Sequence, residues 1–256
     1  MIADLYGRLQ DEYWPTSVRS TDRTMMTFRA ITLLLLVLAA ARPAVAGTDD
    51  KLDAAAVLRL VQTFYDQTKT LQADFKQTRY TRLYDRYDRA AGRVAFKKPG
   101  KMRWDYDRPN GQVFVTQGDK LLIYQPPEAG ERNGQLIERP LDEDQLPSAF
   151  SFLTEGGNLE KDFDVRLLEH DNASFKDGYV LQLVPRKPTG SYEQLVFYVR
   201  ALESEGKQAG VVQRVLILDA AGNRNRFDFS KFKFNRDVPD KRFSFRPPKG
   251  THRVNP

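Results

Sequence analysis

The stretch FKKPGKMRWDYDRPNGQ, residues 96–112, decides the fold class. It runs from an apolar strand end through a Lys98-Pro99 corner into a segment where Met102, Trp104 and Tyr106 alternate with polar residues. Alternation of this kind places the three side chains on one face of a β-strand. So large an apolar and aromatic face belongs either in a packed core or against an apolar ligand, and the residues alone leave both interpretations open.

Outward from this stretch, the chain continues as short runs rich in Val, Phe, Tyr and Leu. Gly, Pro and Asn interrupt these runs every ~8–12 residues, which is typical of an antiparallel all-β domain. The sequence thus predicts about ten to twelve strands, at residues 71–82, 88–98, 101–107, 112–117, 120–125, 134–139, 162–170, 178–186, 192–202, 211–219, 224–234 and 242–246. The polar stretch at residues 203–210 is predicted to be a hairpin tip.

Two segments have helical spacing of apolar residues instead. The first predicts a helix at residues 53–68, with Asp53 as its N-cap and an apolar stripe of Val57, Leu60, Val61 and Phe64, widened by Leu58 and Tyr65. The second predicts a helix that ends before Gly156, with the stripe Leu146, Ala149, Phe150 and Leu153.

Several predicted strands are apolar on both faces. In VVQRVLILD, residues 211–219, one face carries Val211, Val215 and Ile217, and the other carries Val212, Leu216 and Leu218. Because a flat antiparallel sheet usually leaves one face wet and polar, we expect a curved sheet with the helices on its concave side.

The N-terminal part of the chain predicts export. Residues 25–46 combine Arg29, an apolar run and the small residues Ala44 and Ala46, which is the pattern of a secretory signal peptide. A transmembrane anchor is the alternative, but the run is shorter than the ~20 apolar residues that span a bilayer. We expect residues 1–24 to be a mis-assigned extension, residues 25–46 to be the signal peptide and residues 47–256 to be the mature domain.

Residue types suited to catalysis or metal binding are scarce. The chain has no Cys and two His, His170 and His252, too few ligands for a closed zinc or copper site. No Gly-rich phosphate loop follows a predicted strand. The predicted signal peptide, together with a net charge of only +6 over the whole chain, argues against nucleic-acid binding. Without Cys, a lipid anchor on the mature N-terminus is excluded too. We expect no enzyme activity, no metal, no cofactor and no nucleic-acid partner.

Four motifs in order resemble the LolA family of periplasmic outer-membrane lipoprotein carriers. They are LQADFKQT at residues 71–78, GRVAFKKPGKMRWDYDRP at 92–109, QVFVTQGDKLLIYQP at 112–126 and RFSFRPPKG at 242–250. The resemblance covers about residues 53–250. It implies an incomplete antiparallel β-barrel of about eleven strands, with short helices forming a lid over an apolar cavity.

The resemblance also implies a function and its partners. The cargo would be acylated bacterial lipoproteins, received from an ATP-driven lipoprotein-releasing (ABC) transporter of the inner membrane and passed to an outer-membrane acceptor where one exists. The carrier would be a periplasmic monomer that touches membranes only transiently.

Site residues follow from the same resemblance. Lys98, where the family usually has Arg, would hold the lid closed, although Lys offers a flexible point charge in place of a planar fork of donors. The acyl-chain cavity would be lined by strand residues Val94, Phe96, Met102, Trp104 and Tyr106, by Val57, Leu60, Val61, Phe64 and Tyr65 of the first helix, and by Leu146, Phe150 and Leu153 of the second.

Two alternatives stay open on the sequence. One is a lipid carrier or lipoprotein sensor built on a similar half-barrel. The other is a secreted hydrolase, which would need a carboxylate pair ~5–9 Å apart inside the cavity.

Overall fold

The structure of the chain is a computed structural model that describes residues 52–140, 150, 157–169, 175, 178–204 and 207–254. The expected extension and signal peptide, residues 1–46, lie outside the described residues. So do Leu146, Leu153 and His170. 

A large β-sheet dominates the described part of the chain. Its strands are β1 (Thr70–Thr81), β2 (Arg86–Lys97), β3 (Lys101–Tyr106), β4 (Val113–Gln117), β5 (Lys120–Gln125), β6 (Gln135–Pro140), β7 (Phe163–Leu168), β8 (Tyr179–Pro185), β9 (Gln194–Ser204), β10 (Lys207–Leu218), β11 (Arg224–Phe234) and β12 (His252–Val254). The helices are α1 (Ala54–Gln67) and α2 (Leu159–Asp162), and 3-10 turns occupy Arg82–Tyr84 and Asp240–Phe243.

The strands form one 12-stranded sheet in the order β12-β6-β5-β4-β3-β2-β1-β11-β10-β9-β8-β7. All neighbours are antiparallel except β12, which pairs parallel with β6. Pairing of β1 with β11 joins the two halves of the sheet. With β12 and β7 at its two edges, the sheet is open. The predicted mainly β fold class, an incomplete antiparallel barrel, is confirmed.

The distance between two rings shows that the sheet curls. Trp104 on β3 and Phe227 on β11 are three strand spacings apart across β2 and β1, which is ~14 Å in a flat sheet. Their ring centroids are 5.4 Å apart. The side chains therefore converge on this face, which we call the inner face.

The inner face carries the main hydrophobic cluster, and α1 packs against it over β7 to β10. Asp53 caps α1 as predicted, since its Oδ1 accepts a hydrogen bond from Ala56 N at 2.7 Å. The opposite face, called the outer face, has two smaller clusters, one around Val115 and Leu136 and one around Phe175 and Val196. Both faces of the sheet are thus covered, as the two-sided apolar strands predicted.

The C-terminal part differs from the prediction. Residues 242–246 are not a strand: Asp240–Phe243 form a 3-10 turn, and Phe243 packs into the outer-face cluster with Val238 and Phe245. The backbone there is held by side chains of the sheet, including Arg103 Nη1, which donates to Arg242 O at 3.1 Å. The alternating pattern Phe243-Ser244-Phe245 is typical of a strand, but it equally fits an irregular segment whose two Phe side chains pack on the face of a sheet. The strand β12 was not predicted.

Two further predictions were wrong in detail. Residues 203–210 are not all a hairpin tip, because β9 runs to Ser204 and β10 begins at Lys207, with Gln208 paired to Glu203. On β10, Val212 belongs to the main cluster together with Val211. The register of β10 against β9 shifts between Val212 and Arg214, and a β-bulge of this kind turns neighbouring side chains toward one face.

Candidate functional site

A cavity of about 340 Å³ lies on the inner face. A volume of this size is within the range of small-molecule sites, ~300–1,000 Å³. Its apolar wall consists of Met102, Trp104, Phe114, Leu121, Ile123, Phe150 and Phe227, with Tyr106 and Ala90 beside them. The polar residues that line it are Gln77, Arg79, Asp88, Arg89, Asn110, Gln112, Arg139 and Asn225.

Trp104 occupies the centre of the aromatic wall. Its ring lies 4.9 Å from that of Phe75 and 5.2 Å from that of Phe150, in addition to the contact with Phe227. Tilted and edge-to-face pairs of this kind add to the stability from area burial. Phe150 is 2% exposed, so a residue from the second predicted helical segment reaches the cavity wall.

Gly92 makes room for this aromatic cluster. On β2 it pairs with Phe75 of β1, and a Cβ at Gly92 would lie 2.8 Å from the Phe75 ring and 2.2 Å from Asp105 O. Only glycine admits so close an approach. The Phe75 ring is thereby free to lie over β2 and contact both Trp104 and Tyr106.

Tyr106 ends the aromatic row toward the polar rim. Its ring lies 4.9 Å from Phe75 and 5.7 Å from Phe114. Burial raises the pKa of the Tyr106 hydroxyl to about 12, although Arg79 acts in the opposite direction. The phenol therefore stays neutral at physiological pH and presents an uncharged wall.

Helix α1 closes the rest of the inner face. Gly210 on β10 lies directly under it, since a Cβ at Gly210 would be 2.8 Å from Val61 N. Phe64 of the helix packs edge-on against Phe234 at 4.9 Å. The helix thus lies on the backbone of β10, with its apolar stripe directed into the main cluster.

The last turn of α1 is tied to the sheet at two points. Lys98 Nζ, at the corner between β2 and β3, donates to Tyr65 O at 2.8 Å and to Asp66 O at 3.4 Å. The Tyr65 hydroxyl accepts a hydrogen bond from Val212 N at 3.2 Å. A cation at a helix C-terminus also interacts favourably with the helix dipole. Lys98 therefore stands where a latch for α1 would stand.

A second set of contacts joins α1 to the segment before β7. Gln62 Oε1 accepts from Leu159 N at 2.8 Å, and Gln62 Nε2 donates to Gly157 O at 3.2 Å. Arg59 and Glu160 form an exposed ion pair at 3.7 Å. The helix and the chain that follows residue 156 are therefore held together.

The structure brings part of the predicted site together. Met102, Trp104, Tyr106 and Phe150 line the cavity, whereas Val94, Phe96, Val57, Val61, Phe64 and Tyr65 lie in the packed part of the same cluster. Leu60 is only half-buried, and Leu58 of the neighbouring row is 1% exposed within the cluster. Leu146 and Leu153 lie outside the described residues.

The sequence prediction missed much of the wall and all of the rim. Phe114, Leu121 and Ile123 lie on the hairpin of β4 and β5, where Phe114 pairs with both Trp104 and Ile123. Leu121 and Ile123 have the two-residue spacing of one strand face, but β4 and β5 are apolar on both faces, so the spacing alone does not say which face lines the cavity. Phe227 and the polar rim could not be found in this way, since they depend on the pairing of β1 with β11.

Comparison with known proteins decides the family. The model of the family described as "Outer membrane lipoprotein carrier protein LolA" matches residues 66–246. This chain belongs to the LolA family. An outer-membrane lipoprotein carrier protein of Methylibium petroleiphilum is 31% identical over 187 residues, 73% of this chain and 83% of the relative. One from Chromobacterium violaceum is 29% identical over 213 residues, 82% of this chain and 92% of the relative.

Solved structures include a LolA superfamily protein from Nitrosomonas europaea. The alignment has a TM-score of 0.42 and 18% identity, and it covers 76% of this chain and 99% of that one.

The described residues contain no group of three His, Asp or Glu side chains placed to hold a metal ion. Within the same residues, each helix is too short or too polar to cross a bilayer.

Proposed function

We propose that the chain is a periplasmic carrier that binds the acyl chains of lipoproteins and moves them between the inner and the outer membrane. The observation that carries the proposal is the apolar cavity of about 340 Å³ on the inner face beside α1, built on Met102 and Trp104. Membership of the LolA family supports it, since its curated relatives are named outer-membrane lipoprotein carrier proteins.

The free energy of acyl-chain transfer explains why a cavity is needed. Each methylene moved from an apolar phase into water costs ~0.8 kcal/mol, so a 16-carbon chain costs ~12 kcal/mol. A lipidated protein therefore does not cross an aqueous compartment unaided. An apolar wall of seven side chains with a polar rim supplies the surface on which such a chain is sheltered.

Binding and release follow from competition between the lid and the cargo. In the empty protein, Val57, Val61, Phe64 and Tyr65 of α1 and the ring of Phe150 occupy the inner face. Acyl chains and the lid then compete for the same apolar surface. The fraction of carrier that holds cargo depends on the difference between the binding free energies of the acyl chains and of the lid for that surface. Met102 is suited to such a surface because its thioether side chain repacks easily.

The same geometry disfavours a hydrolase. Of the described residues that line the cavity, Asp88 alone carries a carboxylate, and it pairs with Arg86 at 2.9 Å. A glycosidase-like mechanism needs two carboxyl groups ~5–9 Å apart across the substrate. We accordingly propose a binding function without catalysis, metal or cofactor.

The route of the cargo completes the proposal. The carrier, a monomer made of residues 47–256 after removal of the signal peptide, would receive lipoproteins from an inner-membrane ABC transporter. It would pass them to an acceptor at the outer membrane. The relatives' names support the cargo and the destination of this route.

The test is the release of a lipoprotein from inner-membrane vesicles into a soluble complex. Met102 is 2% exposed, so Met102→Glu places a carboxylate in the wall, where burial without a partner is costly. We expect release to fall at least about tenfold, because even a 1.4 kcal/mol loss of binding has that effect. Met102→Leu, which keeps the wall apolar, should release normally.

A folding defect is separated from a binding defect by a second variant. Ile123 lines the same cavity but is only half-buried, so Ile123→Glu disturbs the core less. Normal release by both glutamate variants, each with a native circular-dichroism spectrum, would rule out this wall as the acyl-chain site.

A further inference from the structure

The tip of the hairpin between β1 and β2 exposes large apolar side chains. Leu83 is 81% exposed, Tyr84 is 72% exposed and Tyr87 is 55% exposed. These residues lie together on and beside the 3-10 turn Arg82–Tyr84. A contiguous apolar group on the surface of a monomeric protein marks an interaction site more often than a single exposed side chain does.

Hydrogen bonds and an aromatic pair fix the backbone of this tip. Arg82 N donates to Asn223 Oδ1 of the neighbouring turn at 2.9 Å, and the Tyr80 hydroxyl donates to Asp85 Oδ1 at 3.0 Å. The rings of Tyr80 and Tyr87 pair across the strands at 4.7 Å. The tip therefore presents Leu83 and Tyr84 from a fixed backbone, which lowers the entropy cost of binding.

Basic residues surround the apolar tip. Residues 79–89, RYTRLYDRYDR, contain four Arg and two Asp. Arg79, Arg82, Arg86 and Arg89 are all exposed. One of the two acids, Asp88, is paired with Arg86. The tip thus combines a leucine and tyrosines with an excess of positive charge.

The tip and the rim of the cavity are at the same end of the sheet. Arg79, Asp88 and Arg89 line the cavity, and Arg79 is four residues from Leu83, or ~13 Å along an extended strand. β2 pairs with β3 only from Gly92 to Lys97, so residues 86–91 extend past the end of that pairing. Whatever surface the tip binds comes to lie beside the cavity rim.

We propose that the β1–β2 hairpin tip docks on the surface of an anionic lipid bilayer and brings the cavity rim to that surface. Tyr is enriched at membrane interfaces, where its ring is apolar and its hydroxyl is hydrated. Arg near an anionic leaflet is attracted to it. An apolar insertion of ~5–10 Å, as seen for interfacial segments, leaves the rim within ~10 Å of the membrane.

Docking explains how an acyl chain could pass from the cavity to the membrane without contact with bulk water. The use of the tip in transfer rests on the proposed function, whereas binding of the empty protein to lipid does not. A protein partner at the tip is the competing interpretation, and the charge and composition of the tip favour lipid.

The experiment is co-sedimentation of the exported, purified chain with vesicles, without cargo. We expect binding to vesicles that contain phosphatidylglycerol, weaker binding to pure phosphatidylcholine, and weaker binding at high salt because exposed charges are screened. In Leu83→Ser/Tyr84→Ser, which lies in no packed cluster, we expect bound protein to fall about tenfold or more from the loss of inserted apolar area.

The control alters exposed apolar residues on the edge strand β7 and its neighbour β8, several strands away from the tip. Leu167 and Val184 on β7 and β8 are 37% and 42% exposed, and Leu167→Ser/Val184→Ser should bind vesicles like the wild type. The chain has no Cys, so Tyr84→Cys labelled with an environment-sensitive fluorophore reports insertion directly. A blue shift on anionic vesicles is expected there, and none for a label at Val184→Cys.

Two results would overturn the docking proposal. One is that the wild type binds no vesicles of either composition, and a loss of lipoprotein transfer in Leu83→Ser/Tyr84→Ser would then point to a protein partner. The other is that the tip variant and the control variant bind vesicles equally. Neither result bears on whether lipoproteins occupy the cavity, so the two proposals fail separately.

Discussion

Lys98 shows how one side chain links the sheet to α1. The ammonium group reaches two carbonyl oxygens at the end of α1, those of Tyr65 and Asp66. A guanidinium offers five donors in a fixed plane, whereas an ammonium offers three on a flexible stem. If Lys98 is the proposed latch, it acts through a point charge whose two hydrogen bonds a small movement of α1 would break.

Replacing Lys98 tests the latch. In Lys98→Ala the carbonyls at the end of α1 lose a charged hydrogen-bond donor. A hydrogen bond to a charged group contributes about 1.5–3 kcal/mol to stability when it is well buried, and it contributes less in this half-exposed position. We expect amide exchange in residues 57–66 to become severalfold faster, with exchange in β1 and β2 unchanged. Lys98→Arg should restore protection, and Lys76→Ala, a change at an exposed residue of β1, should have no effect on α1. Equal exchange in Lys98→Ala and wild type would contradict the latch.

Asp240 provides a second test at the scale of the residue, on the outer face. It pairs with Lys97 at 2.7 Å and Lys101 at 2.9 Å, and these hydrogen bonds lower the pKa of its carboxyl to about 2. Since the pKa of Asp240 in the folded state lies below the ordinary value of 3.8, its ion pairs with the two lysines stabilise the fold fully at pH values above 3.8. The contribution is lost as pH falls through about 2.

The expected result is a pH-dependent difference between two proteins. Asp240→Asn should unfold at a lower urea concentration than the wild type at about pH 7, and the gap should close as the pH approaches ~2. The effect is small, because the pair is exposed. Urea midpoints of both proteins across this range measure it, and a gap that does not vary with pH would show that the charge of Asp240 plays no part.

At the scale of the element, α1 depends on the absence of a side chain at Gly210. A Cβ there would meet Val61 N at 2.8 Å and Val61 Cγ2 at 3.0 Å, so α1 must move in Gly210→Ala. Overpacking of this kind costs about 1–3 kcal/mol. We expect exchange in α1 to rise about tenfold while β9 and β10 stay protected. At Gly190 a Cβ would meet nothing within 4 Å, and Gly190→Ala is the matched control. A rise in both variants, or in neither, would contradict close packing of α1 on β10.

Most elements were predictable because their periodicity is local. Short apolar runs between turn residues identified β5 and β11 with their observed bounds, and the stripe with the Asp53 cap predicted α1. Leu60 was assigned to the cavity because it has the i+3 spacing. Helical spacing does not say which side of the stripe faces the sheet, and the position of α1 on Gly210 turns Leu58 inward instead.

Predictions failed where distant parts of the chain meet. Nothing near residues 242–246 indicates that the outer face of β2 to β6 offers a surface for Phe243. Likewise, the rim residues Gln77, Asn110 and Asn225 come from three separate turns and strands. These residues come together only through the order of strands in the folded sheet, and the local sequence pattern does not predict that order.

At the scale of the whole molecule, the sheet has different coverings on its two faces. The outer face is closed by a packed segment around Phe243 that is fixed by hydrogen bonds such as that from Lys97 Nζ to Val238 O at 2.8 Å. The inner face is covered by α1, which is tied at its last turn by Lys98 and Tyr65 and still leaves a cavity beside it. We infer that the outer face is permanent structure and that the inner face is the one that opens.

The most direct test of the account is the identity of what occupies the cavity in the cell. The chain, produced with its own N-terminal residues and recovered from the periplasm, is analysed for bound lipid and peptide by mass spectrometry beside Met102→Glu. The account predicts acylated lipoproteins bound to the wild type and lost from the variant. Recovery of free phospholipid or fatty acid in their place, or of the same lipoproteins on both proteins, would contradict it.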